Sequence, residues 1–239
     1  MKEYLIGTSG WNYEHWENRF YPKIISKKEW FNFYSKNFNT VEINYSFYRW
    51  PNEKTMKKWY KESPSSFKFT LKAPRTITHV KKLNNTEKWV NDFYKLASLL
   101  KEKLACILFQ LPPSFNFNIN NLNKLKKFLE SLDLKIENVI EFRHASWWNK
   151  KVFILLKNKA IFCIVSSQEM PKDVVLTENT AYFRFHGINY SSDYSLNELK
   201  KYADKMKKLK CKKVYAYFNN DSNAYAVKNA KQLIKLVNE

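Results

Sequence analysis

Short apolar runs recur along the chain at regular intervals, separated by longer stretches in which apolar residues return every three or four positions. "YLIGTS" is the first run and "VEINYSF" the second; "FKFTLKA", "ACILFQL", "NVIEFRH", "AIFCIVSS", "AYFRFHG" and "VYAYFNN" follow. Runs of this length, rich in β-branched and aromatic residues, predict eight strands. Between them, Trp89, Phe93, Leu96, Ala97 and Leu100 form one helical stripe, and Leu122, Leu125, Leu129 and Leu132 a second. A third stripe comprises Leu196, Leu199, Tyr202, Met206 and Leu209. It is entered by Ser195 with Glu198 three residues on, the signature of a capping box. A last helix is predicted from about Asn223 to Val237, whereas "QEMPKDVVLTEN" after the sixth strand carries no full helical pattern.

Strands alternating with helices imply a parallel sheet. Eight units in 239 residues match a single α/β domain, a (β/α)8 TIM-like barrel over residues 1–239, because that fold takes about 250 residues. An open doubly wound sheet is disfavoured, since "GTSGW" is neither a dinucleotide fingerprint nor a P-loop.

In such a barrel, function gathers where strands end and the following loops begin. All four histidines fall there: His15, His79, His144 and His186. So do Arg49, Arg75, Arg143 and Arg184, all three glycines, and Trp11, Trp16, Trp50, Trp147 and Trp148. The opposite face, as in "KKLKCKK", is mostly lysine. Because strand side chains alternate and helices cover the outer face, the polar set of each strand must point into the barrel. That set is Glu42 and Asn44 in strand two, Lys72 in three and Gln110 in four. Strand five adds Glu141 and Arg143, strand six Ser166, strand seven Arg184 and His186, and strand eight Asn219 or Asn220. One reading is a structural ion-pair network. Burying several charges is costly, however, and a charged cluster at the catalytic end of a barrel is a candidate site.

Charge and composition widen the picture only slightly. The net charge of +20 divides evenly between the two halves, and only five of the 42 basic residues are arginine. This pattern fits both contact with a polyanion and an AT-rich coding bias. Cys106, Cys163 and Cys211 are too few and too scattered for a disulfide framework or a zinc site, and no run is long enough to cross a membrane. A reduced, cytoplasmic setting is expected, with no membrane association and no protein partner deducible.

Seven ordered segments carry a resemblance: "GTSGW" with "FYP", "TVEINYSFYRWP", "FKFTLKAPRTITH", "FQLPPSF", "EFRHASWW", "YFRFHG" and "YAYFNND". Together they resemble the YecE-like family, known as domain of unknown function seventy-two. The resemblance implies a TIM-like barrel with these residues around one mouth, and no established reaction. After the paired asparagines the chain runs "DSNAYAVKNA", where the family has small residues and glycine, so the eighth loop is expected to differ in shape.

Arginine and lysine around a barrel mouth suit a phosphate-bearing anion, and flanking aromatics such as Trp11 and Tyr48 suit stacking on bases. The leading expectation is therefore binding and hydrolysis of nucleic-acid phosphodiesters, in analogy with apurinic endonucleases built on the same barrel. Arg143, Arg184 and Lys72 would hold the anion, with His79 also at the mouth. Glu42 or Glu141 would be general base, His186 with His144 general acid, and Asn44, Gln110 and Asn219 would orient substrate. A single Mg2+ or Mn2+ on Glu42, Glu141 and His186, or no metal at all, completes the expectation. The alternatives are an enzyme acting on a small phosphorylated metabolite and a non-enzymatic nucleic-acid-binding module.

Overall fold

The computed structural model describes residues 2–239. Its eight strands are β1 (Glu3–Thr8), β2 (Thr40–Ile43), β3 (Lys68–Lys72), β4 (Leu104–Gln110), β5 (Glu137–Glu141), β6 (Ile161–Ser167), β7 (Thr180–Gly187) and β8 (Lys213–Phe218). They lie parallel in the order β1-β8-β7-β6-β5-β4-β3-β2. All eight expected strands are present. The helices are α1 (Trp30–Asn37), α2 (Tyr45–Tyr48), α3 (Glu53–Glu62), α4 (Glu87–Ala97), α5 (Ile119–Glu130), α6 (Lys150–Leu156), α7 (Leu196–Lys208) and α8 (Tyr225–Asn238). No helix is long and apolar enough, among the described residues, to cross a membrane.

The barrel closes at β1–β2 without a full ladder. An isolated bridge joins Ser9 to Glu42. Below it, the Tyr34 hydroxyl from α1 accepts from the Thr8 backbone N–H (3.0 Å) and donates to the Thr40 carbonyl (3.0 Å). Backbone groups that a ladder would pair are thus satisfied by a side chain. Gly7 is required here, because a Cβ at that position would meet the Thr40 carbonyl oxygen at 2.3 Å.

Two apolar layers flank the sheet. The interior holds Leu5, Cys106, Leu108, Val139, Ile161, Cys163, Val165, Tyr182, Tyr215 and Tyr217. The outer strand face, including Ile6, Ile43, Phe69, Phe109, Phe142, Phe183 and Phe218, packs against the helices. Three tyrosines inside a barrel need partners for their hydroxyls. Tyr217 meets Thr40 and Thr70, Tyr215 donates to Glu137, and Tyr182 donates to Glu42. Cys106, Cys163 and Cys211 are free and buried.

Two local expectations change, and the choice left open in strand eight is resolved. "VEINYSF" is strand only to Ile43; Tyr45–Tyr48 then form a helical turn. Ser166 faces outward, bonded to Tyr194 and Tyr202, because Ile161, Cys163 and Val165 hold the inward positions of β6 and alternation sends Ser166 to the helix side. Asn219, not Asn220, turns toward the mouth: it reaches His186, whereas Asn220 is tied to Ser192 and Asn229. Trp147, in the loop after β5, is sealed between Phe115 and Phe142, its indole N–H on the Phe115 carbonyl. The capping box Ser195–Glu198 and the absence of a helix between β6 and β7 are as expected.

Candidate functional site

Arg184, near the end of β7, is fully buried, and its guanidinium joins two carboxylates across the barrel. Nη2 donates to Glu42 Oε1 and Nη1 to Glu141 Oε2, both at 2.6 Å, and all three side chains are sealed from solvent. Glu42 is further saturated by the Ser9 hydroxyl at 2.7 Å and the Tyr182 hydroxyl at 2.5 Å. Glu141 also faces Arg143 Nη1 and His186 Nε2, each at 3.2 Å from Oε1. Gln110 Oε1 accepts from Arg184 Nη1 at 3.2 Å. Strand alternation produces this convergence, since each of these side chains occupies an inward position near the last turn of its strand.

Burial by itself would raise the Glu141 carboxyl, but Arg184, then His186 and Arg143, outweigh it and hold it well below the usual carboxylate range. His186 is pushed down to about 4, chiefly by burial, with Arg184 and Arg143 adding to the effect against the pull of Glu141. A neutral imidazole follows. Asn219 Nδ2 lies 3.3 Å from His186 Nδ1, which makes Nδ1 the acceptor and leaves the proton on Nε2, donated to Glu141. The Arg143 Nη1 contact with Nε2 at 3.1 Å is then a close approach of two donors that share one carboxylate oxygen.

Lys72 ends β3 inside the same mouth. Its side chain is 8% exposed, and its ammonium rests 4.1 Å above the ring centroid of Phe47. Burial, with Arg184 beside it, lowers the amine to about 8. Three cations (Lys72, Arg143, Arg184) therefore face two carboxylates, and the paired groups are deepest. Arg143 keeps 16% of its side chain exposed, and Tyr190 from the β7 loop lies over it, 5.8 Å from ring centroid to guanidinium carbon. His79, in the π-helical turn Thr76–Val80, packs edge-on against the other flank of the Phe47 environment at 4.8 Å between ring centroids. Burial, Lys72 and Arg75 push it down to about 4.

The expected residues thus divide into two sets. Glu42, Glu141, Arg143, Arg184, His186, Gln110, Asn219 and Lys72 come together, and Asn44 borders them by donating to the Ser9 carbonyl, with its own carbonyl oxygen buried and unpartnered. His144 bonds to Ser146, capping the turn Ala145–Trp147. Trp11 packs on Phe31 and Trp59. Tyr48 is 75% exposed at the rim.

Arg184 is committed to the two carboxylates and sealed from solvent. Glu42 and Glu141 have their lone pairs engaged by donors. Among the described residues no group of three His, Cys, Asp or Glu side chains is placed to hold a metal ion. The Glu42, Glu141 and His186 set does not fit a metal as arranged, because Arg184 occupies the space between the two carboxylates. Two contributors were not named from sequence: Phe47, under Lys72, and Tyr190, over Arg143. Phe47 ends the run read as strand two, which hid its position, and Tyr190 carried only the signal of an aromatic residue in a loop following a strand.

A family model described as a protein of unknown function, DUF72, matches residues 5–239. The UPF0759 protein YunF of Bacillus subtilis is 28% identical over 268 residues, spanning 97% of this chain and 94% of that protein. The crystal structure of a DUF72 family protein from Thermotoga maritima is similar with a TM-score of 0.91 at 30% identity, over 99% of this chain and 100% of that one. PbGH5A, a glycoside hydrolase family 5 enzyme from Prevotella bryantii, aligns with a TM-score of 0.53 at 11% identity over 98% and 91% of the two chains, a likeness of fold alone.

Proposed function

The chain belongs to the DUF72 family, and on that premise we propose that its barrel mouth binds a nucleic-acid phosphodiester and hydrolyses it. The observation that carries this reading is the surplus cation. Arg184 is used up by the carboxylates, Lys72 has no carboxylate partner, and Arg143 is turned partly to solvent. An anion entering the mouth would complete the charge balance and meet Arg143 first. The rim favours a nucleic acid among anions. The exposed large aromatics among the described residues are Tyr45, Tyr48, Trp50 and Tyr190, all in the loops after β2 and β7, and each offers a face on which a base can stack.

For hydrolysis, Arg143 would stabilise charge on the phosphoryl oxygens. His79, held neutral near pH 7, would accept the proton of the attacking water, a role for which the locked carboxylates are poorly suited. His186, fixed by Glu141 and Asn219, would orient the leaving side. A small phosphorylated metabolite is the second reading, favoured by the depth of Lys72 and His186, which are only 8% and 2% exposed.

Fluorescence anisotropy with a single-stranded oligonucleotide tests the binding step. Affinity should fall steeply as salt rises, through release of counterions, and Tyr48→Ala should cost about 1–3 kcal/mol of stacking. Absence of binding at low salt rejects the nucleic-acid reading. For the chemical step, His79→Gln should lose turnover while binding is retained.

A further inference from the structure

The fold buries two lysines almost completely, Lys72 and Lys103, and treats them differently. The Lys103 amine is saturated, donating to the Tyr60 carbonyl at 2.7 Å, the Ser63 carbonyl at 2.7 Å and the Ser63 hydroxyl at 2.9 Å. This is the ordinary fate of a buried ammonium, whose three donors are costly to leave unmade. Lys72 makes no hydrogen bond and no ion pair through Nζ among the described residues; an aromatic face is its contact. Its amine is nevertheless not among the polar atoms sealed from solvent without a partner, so it reaches the mouth. An unpaired amine confined beside other cations is the arrangement that activates lysine as a nucleophile toward carbonyl carbon.

We infer that Lys72 is an imine-forming residue, its amine attacking the carbonyl carbon of a phosphate-bearing aldehyde or ketone whose phosphate lies on Arg143. The inference rests on the reading of Arg143 as the anion-binding arm and names the substrate class of that same site. In the first step the nitrogen lone pair forms the C–N bond, and the carbonyl π pair moves to oxygen. In the second, the carbinolamine C–O bond breaks. The two amine protons and the oxygen depart as one water molecule, leaving a C=N bond; addition of water reverses the sequence. No oxidant or reductant is required. His79, neutral and adjacent to Phe47, is placed to carry the proton between nitrogen and oxygen. Near neutral pH the lowered amine, at about 8, is uncharged in a far larger fraction than a surface lysine, and its lower basicity offsets only part of that advantage. The net gain in rate over a surface lysine is about tenfold or more.

Two probes distinguish the sources of such a carbonyl: a DNA oligonucleotide containing one base-less deoxyribose, and glyceraldehyde 3-phosphate. The intact protein is incubated with each near neutral pH in the presence of sodium cyanoborohydride, which reduces an imine to a stable secondary amine. Modified lysines are then mapped by peptide mass spectrometry. The expected result is modification of Lys72 at least about tenfold faster than the median surface lysine, suppressed by inorganic phosphate and by Arg143→Ala. The chain has 36 other lysines, so intact-mass labelling at stoichiometric probe should fall by about a fifth or more in Lys72→Met and in Lys72→Arg, with labelling of the surface lysines unchanged. Because mapping on the wild-type chain carries the result, a variant that fails to fold does not obscure it. A Lys72 adduct with the triose phosphate alone supports the inference and removes the nucleic-acid reading. Retained binding of an undamaged oligonucleotide, with Lys72 labelled no faster than surface lysines by either probe, overturns the inference and leaves that reading intact.

Discussion

The two ends of the barrel interior both carry charge, and they handle it differently. At the end where the strands begin, Glu137 accepts from Lys213 Nζ at 2.9 Å, the Tyr215 hydroxyl at 2.9 Å and the Thr180 hydroxyl at 2.6 Å. One carboxylate meets one cation, and each keeps about 30% of its side chain in solvent. Where the strands end, Glu42, Glu141 and Arg184 are sealed, Arg143 is partly open and Lys72 has no carboxylate partner. The first arrangement is self-sufficient and lets water share the cost of charge. The second is compact at its base and carries an excess positive charge toward its opening. An excess charge costs stability unless something binds there.

Removing the central cation at each end should separate the two arrangements most strongly. Arg184→Met leaves the buried Glu42 without a paired cation and Glu141 with Arg143 alone, and should cost about 3–5 kcal/mol in urea unfolding near neutral pH. Lys213→Met, in a pair that water screens, should cost about 1 kcal/mol or less. Equal losses would break the distinction between the two ends.

The surplus cation itself gives the next effect, of opposite sign. The folded protein holds the Lys72 amine at about 8, below the ordinary lysine value of 10.5. The unfolded chain therefore binds more protons between those values, and stability rises with pH across that window. Below about pH 8 the full penalty applies, so Lys72→Met should stabilise the protein near neutral pH by up to ~3 kcal/mol. The gain should fade by about pH 10.5. Lys103→Met, which strips three acceptors of their donor, should destabilise at every pH. Thermal midpoints of the two variants across that range provide the check, and a destabilising Lys72→Met would place Lys72 with the structural lysines.

The smallest effect lies on the acid side. His186 and His79 are both held at about 4, below the ordinary 6.5. The unfolded chain takes up their protons first as pH falls, so stability should decline between about pH 6.5 and 4. For His186, sealed inside, the loss at pH 5.5 is about 1 kcal/mol; His79, only partly buried, contributes in the same direction. His186→Asn should flatten the slope of chemical stability against pH in that interval, while Lys213→Met should leave it unchanged.

Much of the site was legible because strand alternation is a local rule. Glu42, Lys72, Gln110, Glu141, Arg184 and His186 each sit at inward positions that can be counted along their own strands. Ser166 obeys the rule, on the outward face of β6 opposite to Cys163 and Val165, and the inward expectation for Ser166 counted from the wrong face. The rule fails where a strand ends early, as "VEINYSF" does after Ile43. It also says nothing about loops. Trp11, Trp147 and His144 lie in the expected loops, but packing on Phe31 and Trp59, stacking between Phe115 and Phe142, and capping through Ser146 engage them there.

By itself the sequence determined which residue types reach the mouth, because period-two alternation and the placement of polar positions are properties of single strands. Only the tertiary structure decided which of those charges neutralise one another. Glu42 and Arg184 are 142 residues apart, and closure of the barrel at β1–β2, joined by Tyr34 and the Ser9–Glu42 bridge, brings them to 2.6 Å. Pairing at that range depends on strand order, tilt and register around the whole ring. It is this pairing that leaves Lys72, among several charges at the mouth, without a carboxylate.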